Sequence, residues 1–396
     1  MKNIILFLRK ETVLCVALVL AAVSAFIVPP DVKYVEYIDL RTLAILFCLM
    51  SVMAGLQKMG FFGNIAKMLL SKVKNGYSLI LILVLMCFFF SMVITNDVAL
   101  ITFVPFTFII LNLLGQKKRN RLILQVTAMQ TIAANLGSML TPIGNPQNLY
   151  LYGKAGISIG RFILLMLPYT FLSLVLLIGW SMLLGRRFSM DFNSGKINMN
   201  NRSGLGGAGG KDAAEENSDS EIQRYRIYVY IGLFIFCLFA VGHIISWQAV
   251  LALVLVTVFV MDRDVLARVD YSLLFTFAGF FIFIGNMGRI PAFRDFLEGI
   301  IVNREVLTSI AASQLISNVP AALLLSGFTA DYGNLIIGVN LGGLGTLIAS
   351  MASLISYKYI AKEEPVRKGA YIGMFTAGNI VFLAALAVLY KIMTGL

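Results

Sequence analysis

The 396-residue chain is 59% hydrophobic and only 13% charged, with a formal net charge of +12 and a mean hydropathy of +0.86. No soluble core uses that much apolar surface, so the composition excludes an ordinary soluble domain and implies an all-α polytopic membrane protein. The basic residues cluster in short stretches between apolar runs, so membrane orientation accounts for the charge and no nucleic-acid partner is implied.

Residues 1–10 are short and basic, and an apolar segment follows over about 12–28. Val23-Ser24-Ala25 has the look of a signal-peptidase site, but the run reads better as an uncleaved first span that Pro29, Pro30 and Asp31 end. Residues 1–37 form this N-terminal span and its outer loop. A second span is expected over about 38–57, and the basic, amphipathic stretch Phe61–Lys74 is expected to lie in the membrane interface.

From Tyr77 to Leu114 the chain is apolar but for one charged side chain, Asp97, beside Thr95 and Asn96. About 20 apolar residues cross a bilayer core of ~30 Å, so this run is too long for one span. Thr-Asn-Asp is poor helix interior and good N-cap chemistry. The stretch therefore reads as a re-entrant hairpin, 77–114, with its polar tip at Thr95–Asp97.

The next span, 122–152, is interrupted by Asn135-Leu-Gly-Ser-Met-Leu-Thr-Pro-Ile-Gly-Asn-Pro-Gln-Asn148. Pro142 and Pro146 remove donors and force the helix to unwind. Irregular backbone at membrane depth survives only against protein or a wet cavity, which makes this break a candidate binding site. A span over about 162–184 ends at Arg186-Arg187.

Residues 188–223 turn to Gly, Ser, Asn, Asp and Glu and read as a disordered cytoplasmic linker. Their Gly-Leu-Gly-Gly-Ala-Gly-Gly run lacks the preceding strand and following Gly-Lys-Ser/Thr of a phosphate loop. Spans follow at about 226–243, 246–261 and 271–288, then a polar interfacial stretch, 289–303. A second hairpin, 306–328, surrounds Ser313-Gln-Leu-Ile-Ser-Asn-Val-Pro320. A Gly-interrupted span, 332–356, and a last span, 370–390, complete the chain.

With the N-terminus inside, about three in four of the 32 Lys and Arg residues fall in cytoplasmic segments, provided that both hairpins re-enter without crossing. The expected architecture is nine spans plus two hairpins in the cytoplasmic (inner) membrane, with the linker inside and the C-terminus outside.

The two halves echo each other. Ser91-Met-Val-Ile-Thr-Asn-Asp-Val-Ala aligns with Ser313-Gln-Leu-Ile-Ser-Asn-Val-Pro-Ala, and Asn135-Leu-Gly…Thr141-Pro-Ile-Gly-Asn145 aligns with Asn340-Leu-Gly…Thr346-Leu-Ile-Ala-Ser350. Met59-Gly60 falls opposite Met287-Gly288. Residues 38–187 and 224–396 are thus two repeats, inverted because the first hairpin enters from inside and the second from outside. Inverted repeats with broken helices are the pattern of secondary transporters, whose binding sites lie where the breaks meet. Half-helix N-termini favour anions there, and freed carbonyls favour Na⁺.

Ile94-Thr-Asn-Asp-Val-Ala-Leu100, Thr141-Pro-Ile-Gly-Asn-Pro-Gln-Asn148, Ile316-Ser-Asn-Val-Pro320 and Asn340-Leu-Gly-Gly-Leu-Gly-Thr346 resemble the hairpin tips and broken helices of the ion transporter superfamily. That group holds arsenite pumps, sodium–proton antiporters, divalent anion–sodium symporters and citrate-transporter-like domains. The resemblance covers roughly residues 38–390 apart from the linker. It implies a homodimer in which a transport domain slides, elevator-like, past a scaffold. It also implies one cation at the first tip and break, with a pseudo-symmetric counterpart in the second half. Thr95 and Asn96, and likewise Ser317 and Asn318, correspond to the polar tips of the family. Asp97 is a carboxylate that the symporters usually lack and the arsenite and antiporter branch often has. Val319 and Pro320 stand where polar tip residues are usual.

The expected function is a secondary active transporter of a small anion coupled to Na⁺ or H⁺, with no cofactor. The alternatives are a Na⁺/H⁺ antiporter in which Asp97 exchanges proton for sodium, an arsenite efflux permease and, from another class, an ion channel. The candidate ion-binding residues are Thr95, Asn96, Asp97, Thr141, Gly144, Asn145, Asn148, Ser317, Asn318, Asn340, Gly342, Thr346 and Ser350. Na⁺ is expected among Thr95, Asn96, Asp97, Gly144 and Asn145. Asp97 is singled out because buried intramembrane charge is costly; the bland reading is a helix cap. Gly342, Gly343 and Gly345 equally suit close helix packing. Cys15, Cys48, Cys87 and Cys237 read as small buried hydrophobes, and His243 beside Trp247 as an interfacial residue. No nucleophile–base pair, metal cluster or cofactor loop supports an enzyme.

Overall fold

The computed structural model describes residues 11–71, 73, 75–114, 116–189 and 213–395, and every regular element among them is helical. Most of the stretch expected to be a linker, 190–212, lies outside the described residues. Helical backbone is described from Ala213, ahead of the span expected at 226.

The first half opens with α1 (Thr12–Ile27), a short α2 (Lys33–Tyr37), α3 (Leu40–Lys58) and α4 (Phe61–Leu70). Asp39 starts α3 by accepting the Thr42 N–H at 3.0 Å. Two long helices, α5 (Gly76–Ile94) and α6 (Asn96–Leu113), then meet at Thr95. A capping box, in which Asn75 and Ser78 bond each other's backbone N–H, starts α5. The pair folds back on itself. The Phe90 and Phe103 rings stand 5.1 Å apart. The Gln130 amide donates to Leu83 O at 3.0 Å and to Thr107 Oγ1 at 2.8 Å, and these partners lie equally far on either side of Thr95. The interrupted span is α7 (Gln116–Ser138) and α8 (Pro146–Ala155), and α9 (Ile159–Ser189) follows.

The second half comprises α10 (Ala213–Val241), α11 (Trp247–Met261), α12 (Arg263–Leu266), α13 (Tyr271–Gly288) and the amphipathic α14 (Pro291–Ile301). From α13 on, it follows the order of α3 to α9. Next come α15 (Glu305–Ile316) and α16 (Asn318–Ser326), which meet at Ser317, then α17 (Tyr332–Gly342) and α18 (Met351–Glu363), which flank the second break. A short 3₁₀ turn, Pro365–Arg367, leads into the last helix, α19 (Lys368–Thr394).

Seven of the described helices are long and apolar enough to cross a membrane: α3, α5, α6, α9, α10, α13 and α19. The count expected from sequence was nine spans plus two hairpins. The difference has a geometric source. α1 and α11 have only 16 and 15 residues; the second break leaves helices of 11 and 13 residues, and the first leaves a 10-residue α8 beside α7, which is 23 residues long but too polar to count. Both arms around Thr95, by contrast, are individually long enough to count.

Packing separates two groups. α10 and α11 lie on α3, and α13 lies on α1, with Gly279 closing onto Ala17 and Gly55 onto the Tyr230 ring. The other group surrounds the breaks: α5 and α6 on α7, α15 and α16 on α17, with α9 and α19 alongside. The amphipathic helices α4 and α14 join the groups at corresponding places, α4 between α3 and α5, α14 between α13 and α15. Large apolar side chains on α9 and α11, such as Leu164, Phe171, Val256 and Val260, stay more than half exposed, as a lipid-facing surface requires.

Candidate functional site

The two helix junctions share one unusual backbone. Thr95 has φ 72° and ψ 151°, and Ser317 has φ 73° and ψ 154°. Only glycine enters this region readily, and a residue with a Cβ pays roughly 1–3 kcal/mol for it. Each junction is held by the backbone of its own half's break. Asn96 N–H donates to Gly144 O at 3.1 Å, and Asn318 N–H donates to Ala349 O at 2.9 Å. Gly144 and Ala349 align in the two echoing segments, so this sequence echo coincides with a matching backbone bond at each junction.

The breaks then reach across to each other. Asn145 caps the start of α8, accepting the Asn148 N–H at 2.9 Å. Its Nδ2 donates to Asn340 Oδ1 of the other half at 3.2 Å and to Ser138 Oγ at 3.3 Å. Ser350, the aligned partner of Asn145, donates to Asn135 Oδ1 at 3.1 Å. Asn135 is in turn the aligned partner of Asn340. The two halves thus exchange the same bond reciprocally. The helices follow suit: α8 packs on α16 and α17, and α18 packs on α6 and α7.

Further bonds extend this lattice. Asn96 Nδ2 donates to Asn135 Oδ1 at 3.1 Å, and Asn135 Nδ2 donates to Ser353 Oγ at 3.2 Å. Asn340 Nδ2 donates to Asn148 Oδ1 at 2.7 Å and to Ile336 O at 2.8 Å. All eight side chains, Asn96, Asn135, Ser138, Asn145, Asn148, Asn340, Ser350 and Ser353, are buried. None carries formal charge. A lattice of neutral amides and hydroxyls can solvate an oxygen-rich solute or a small cation by exchanging its internal bonds for bonds to the guest.

Five expected residues, Asn96, Asn145, Asn148, Asn340 and Ser350, therefore sit in one lattice. Glycines let the elements close around it. A Cβ on Gly144 would lie 2.0 Å from Ser138 O, and one on Gly342 would lie 2.5 Å from Ser313 Oγ. Thr141 donates to Met92 O and pins the break to α5. Ser317 Oγ reaches Ala349 O at 3.5 Å. Asn318 is buried with its amide against Gly343.

Other expected residues stand apart. The Thr346 side chain is exposed. Asp97 is half-buried on the first turn of α6, and its carboxylate makes no hydrogen bond or ion pair with the described residues. Four lattice or break residues escaped the sequence reading: Asn135, Ser138, Ser353 and Gln314. The repeat alignment held the signal for Asn135, because it pairs with Asn340.

A separate polar contact lies away from the lattice, between α3 and the end of α10. Arg41 of α3 bonds the His243 ring and donates to Ala240 O at 3.2 Å, and the Tyr152 ring of α8 lies 6.0 Å from the His243 ring. Burial, and then the Arg41 charge, hold the His243 pKa below its ordinary value.

Comparison with known proteins adds the family. The chain is 31% identical over 328 residues, 81% of its length and 80% of the relative's, to the inner membrane protein YbiR of Escherichia coli K12. It is 31% identical over 357 residues, 89% of its length and 88% of the relative's, to a protein of Methanocaldococcus jannaschii named as an uncharacterized transporter. Over 131 residues, 33% of its length and 26% of the relative's, it is 32% identical to a silicon efflux transporter of Oryza sativa subsp. japonica. The model of the CitMHS family, described as citrate transporter, matches residues 4–334, which take in both junctions and the first break. Sequence, helical architecture and family match agree, and the chain belongs to the CitMHS family of multi-pass membrane transporters.

Proposed function

We propose that the chain is a secondary active transporter of a small, oxygen-rich anion in the cytoplasmic membrane, coupled to Na⁺ or H⁺. The reciprocal lattice carries this reading: Asn145 bonds Asn340 while Ser350 bonds Asn135, which puts both breaks at one centre. In this reading α5–α6 and α15–α16 are re-entrant hairpins of two inverted repeats. The anion is held by amides, hydroxyls and the N-termini of α8 and α18. The group around the breaks moves as an elevator against α1, α3, α10, α11 and α13, and the working unit is a homodimer. A coupling cation sits at the first tip, among Thr95, Asn96, Asp97, Gly144 and Asn145. The N-terminus and residues 188–223 face the cytoplasm.

A second reading has its own support. The lattice holds no Lys, Arg or His, and a neutral, hydroxylated oxyacid needs no positive site. The partial likeness to a silicon efflux transporter points the same way.

Reconstitution into proteoliposomes with imposed Na⁺ and H⁺ gradients tests both. Gradient-driven uptake of citrate or other small carboxylates supports the anion reading. Flux of silicic acid or arsenite without such uptake moves the choice to the neutral solute. Asn318→Leu should abolish the flux at matched expression, because it places an apolar group at the second tip. A voltage-driven conductance without coupling would make the protein a channel and refute transport by alternating access.

A further inference from the structure

An unwound helix leaves backbone carbonyls without N–H partners, and in a membrane protein each must be satisfied. Here two freed carbonyl oxygens and one that already has a backbone partner converge on a single side-chain nitrogen at each break. In the first half, Asn148 Nδ2 faces Ser138 O at 3.3 Å, Met139 O at 3.5 Å and Thr141 O at 3.2 Å. In the second, Gln314 Nε2 faces Gly342 O at 3.0 Å and Leu344 O at 2.9 Å in the break, and Ile310 O of its own helix at 3.4 Å.

The two nitrogens occupy like positions but come from unlike places. Met139 and Leu344 are aligned in the repeats, so one of the three carbonyls is the same in both. Asn148 belongs to the helix after the break, and its aligned partner is Ser353. Gln314 belongs to the first arm of the hairpin, and its aligned partner is Met92. Each half has therefore acquired its own amide for the same task.

Both amides have a fixed sense. Asn148 Oδ1 accepts from Asn340 Nδ2 at 2.7 Å, and Gln314 Oε1 accepts from Thr346 N–H at 3.0 Å. A flipped amide would set oxygen against three carbonyl oxygens and NH₂ against another donor. The backbone at the second break also makes room for its amide: Gly345 has φ +119°, and a Cβ there would lie 2.3 Å from Gln314 Oε1.

We propose that the amide groups of Asn148 and Gln314 take the place of monovalent cations at the two helix breaks, so that neither set of freed carbonyls is a Na⁺ site. A cage of carbonyl oxygens attracts positive charge, and an NH₂ group supplies a partial one with two directed hydrogens. A coupling Na⁺, where there is one, binds at the tip set and away from Ser138, Met139, Gly342 and Leu344. Asn148 and Gln314 act as positioning residues that hold the breaks open and rigid without an ion. The inference does not depend on which solute is carried.

The test reads folding and not transport, so its outcome is separate from that of the substrate reading. Thermal unfolding of the purified full chain is measured in NaCl and in choline chloride at equal ionic strength. Gln314→Glu replaces the donor by a carboxylate oxygen among carbonyls, a set that needs a cation. It should show a saturable, Na⁺-specific rise larger by about 3 °C or more than any rise in the unmodified chain. Asn148→Asp, which places a carboxylate in the first cage, should gain the same response if Gln314→Glu fails to fold. Gln314→Met, which installs the side chain of the aligned position, removes the amide without adding a ligand. A Na⁺-specific rise in the unmodified chain that Gln314→Met leaves unchanged places the ion elsewhere and supports the proposal. A Na⁺-specific rise that Gln314→Met or Asn148→Leu abolishes overturns it. So does the absence of any Na⁺ response in both carboxylate variants.

Discussion

Asn340 and Ser350 make the two reciprocal contacts, but they are not equally replaceable. Replacing Asn340 by Leu keeps the volume and removes three bonds: from Asn145 Nδ2, to Asn148 Oδ1 and to Ile336 O. Ile336 O retains its helical partner, and Asn145 Nδ2 retains Ser138 Oγ. Asn148 Oδ1 loses its hydrogen-bond donor and is left buried without one. One orphaned buried acceptor costs about 1–3 kcal/mol, and the lost shared bond adds about 0.6 kcal/mol, the mean measured between membrane helices. Replacing Ser350 by Ala removes one bond, and Asn135 Oδ1 still accepts from Asn96. That change should cost only about 0.6 kcal/mol. The expected result is that Asn340→Leu destabilises by about 2–4 kcal/mol and Ser350→Ala by several-fold less. Reversible unfolding in mixed micelles measures both. A Ser350→Ala cost equal to or greater than that of Asn340→Leu would refute the accounting of partners on which the lattice rests.

Asp97→Asn preserves shape and capping ability but removes the charge. Flux in the variant should lose its dependence on the coupling ion, and unchanged coupling in proteoliposomes would reduce Asp97 to a helix cap. Thr95→Gly and Ser317→Gly should each stabilise by about 1 kcal/mol or more in chemical unfolding, because glycine tolerates φ near 72°; a loss of stability at both would show that the side chains, and not the strain, dominate. Gly137→Ala drives a Cβ to 1.9 Å from Phe88 O, a backbone atom that cannot step aside, so the yield of folded protein should fall steeply. Normal yield would mean that α5 and α7 part easily. His243 is held neutral beside Arg41, so its contribution to stability is present above the ordinary histidine pKa of about 6.5 and is lost as pH falls below it. A melting curve against pH should therefore flatten on its acid side in His243→Gln, and an unchanged slope would remove the residue from the account.

Much of this arrangement is legible in the residues. The stretch Thr95-Asn96-Asp97 breaks an apolar run because short polar side chains compete for the backbone, and the structure bends there. Pro142, Gly144 and Pro146 announce the first break because proline cannot continue a helix. The second break has no proline; Gly342, Gly343 and Gly345 and its alignment with the first give it away. What stayed hidden depends on reach through space. Nothing local in α7 says that Asn135 accepts from two amide or hydroxyl donors while Asn112 on α6 faces out. Gln314 lies in an arm of ordinary helical sequence, and its role appears only when the carbonyls of Gly342 and Leu344 arrive beside it. Asp97 shows the converse, since the charge that stands out most in the sequence makes no bond to the lattice.

The exchange between Asn145 and Asn340 spans 195 residues, which has a consequence for synthesis in the cell. At translation rates of about 5–20 residues per second, the first break waits roughly 10–40 s for its partner to leave the ribosome. During that interval Asn135 and Asn145 sit in or near lipid with only their first-half partners, lacking the Asn340, Ser350 and Ser353 groups that later complete their bonding. The newborn first half must therefore stay hydrated, borrow partners from the insertion machinery or remain near the membrane surface until α17 arrives. Completion of the site is then a late event of insertion, and a chain stalled before residue 340 is a natural substrate for membrane quality control.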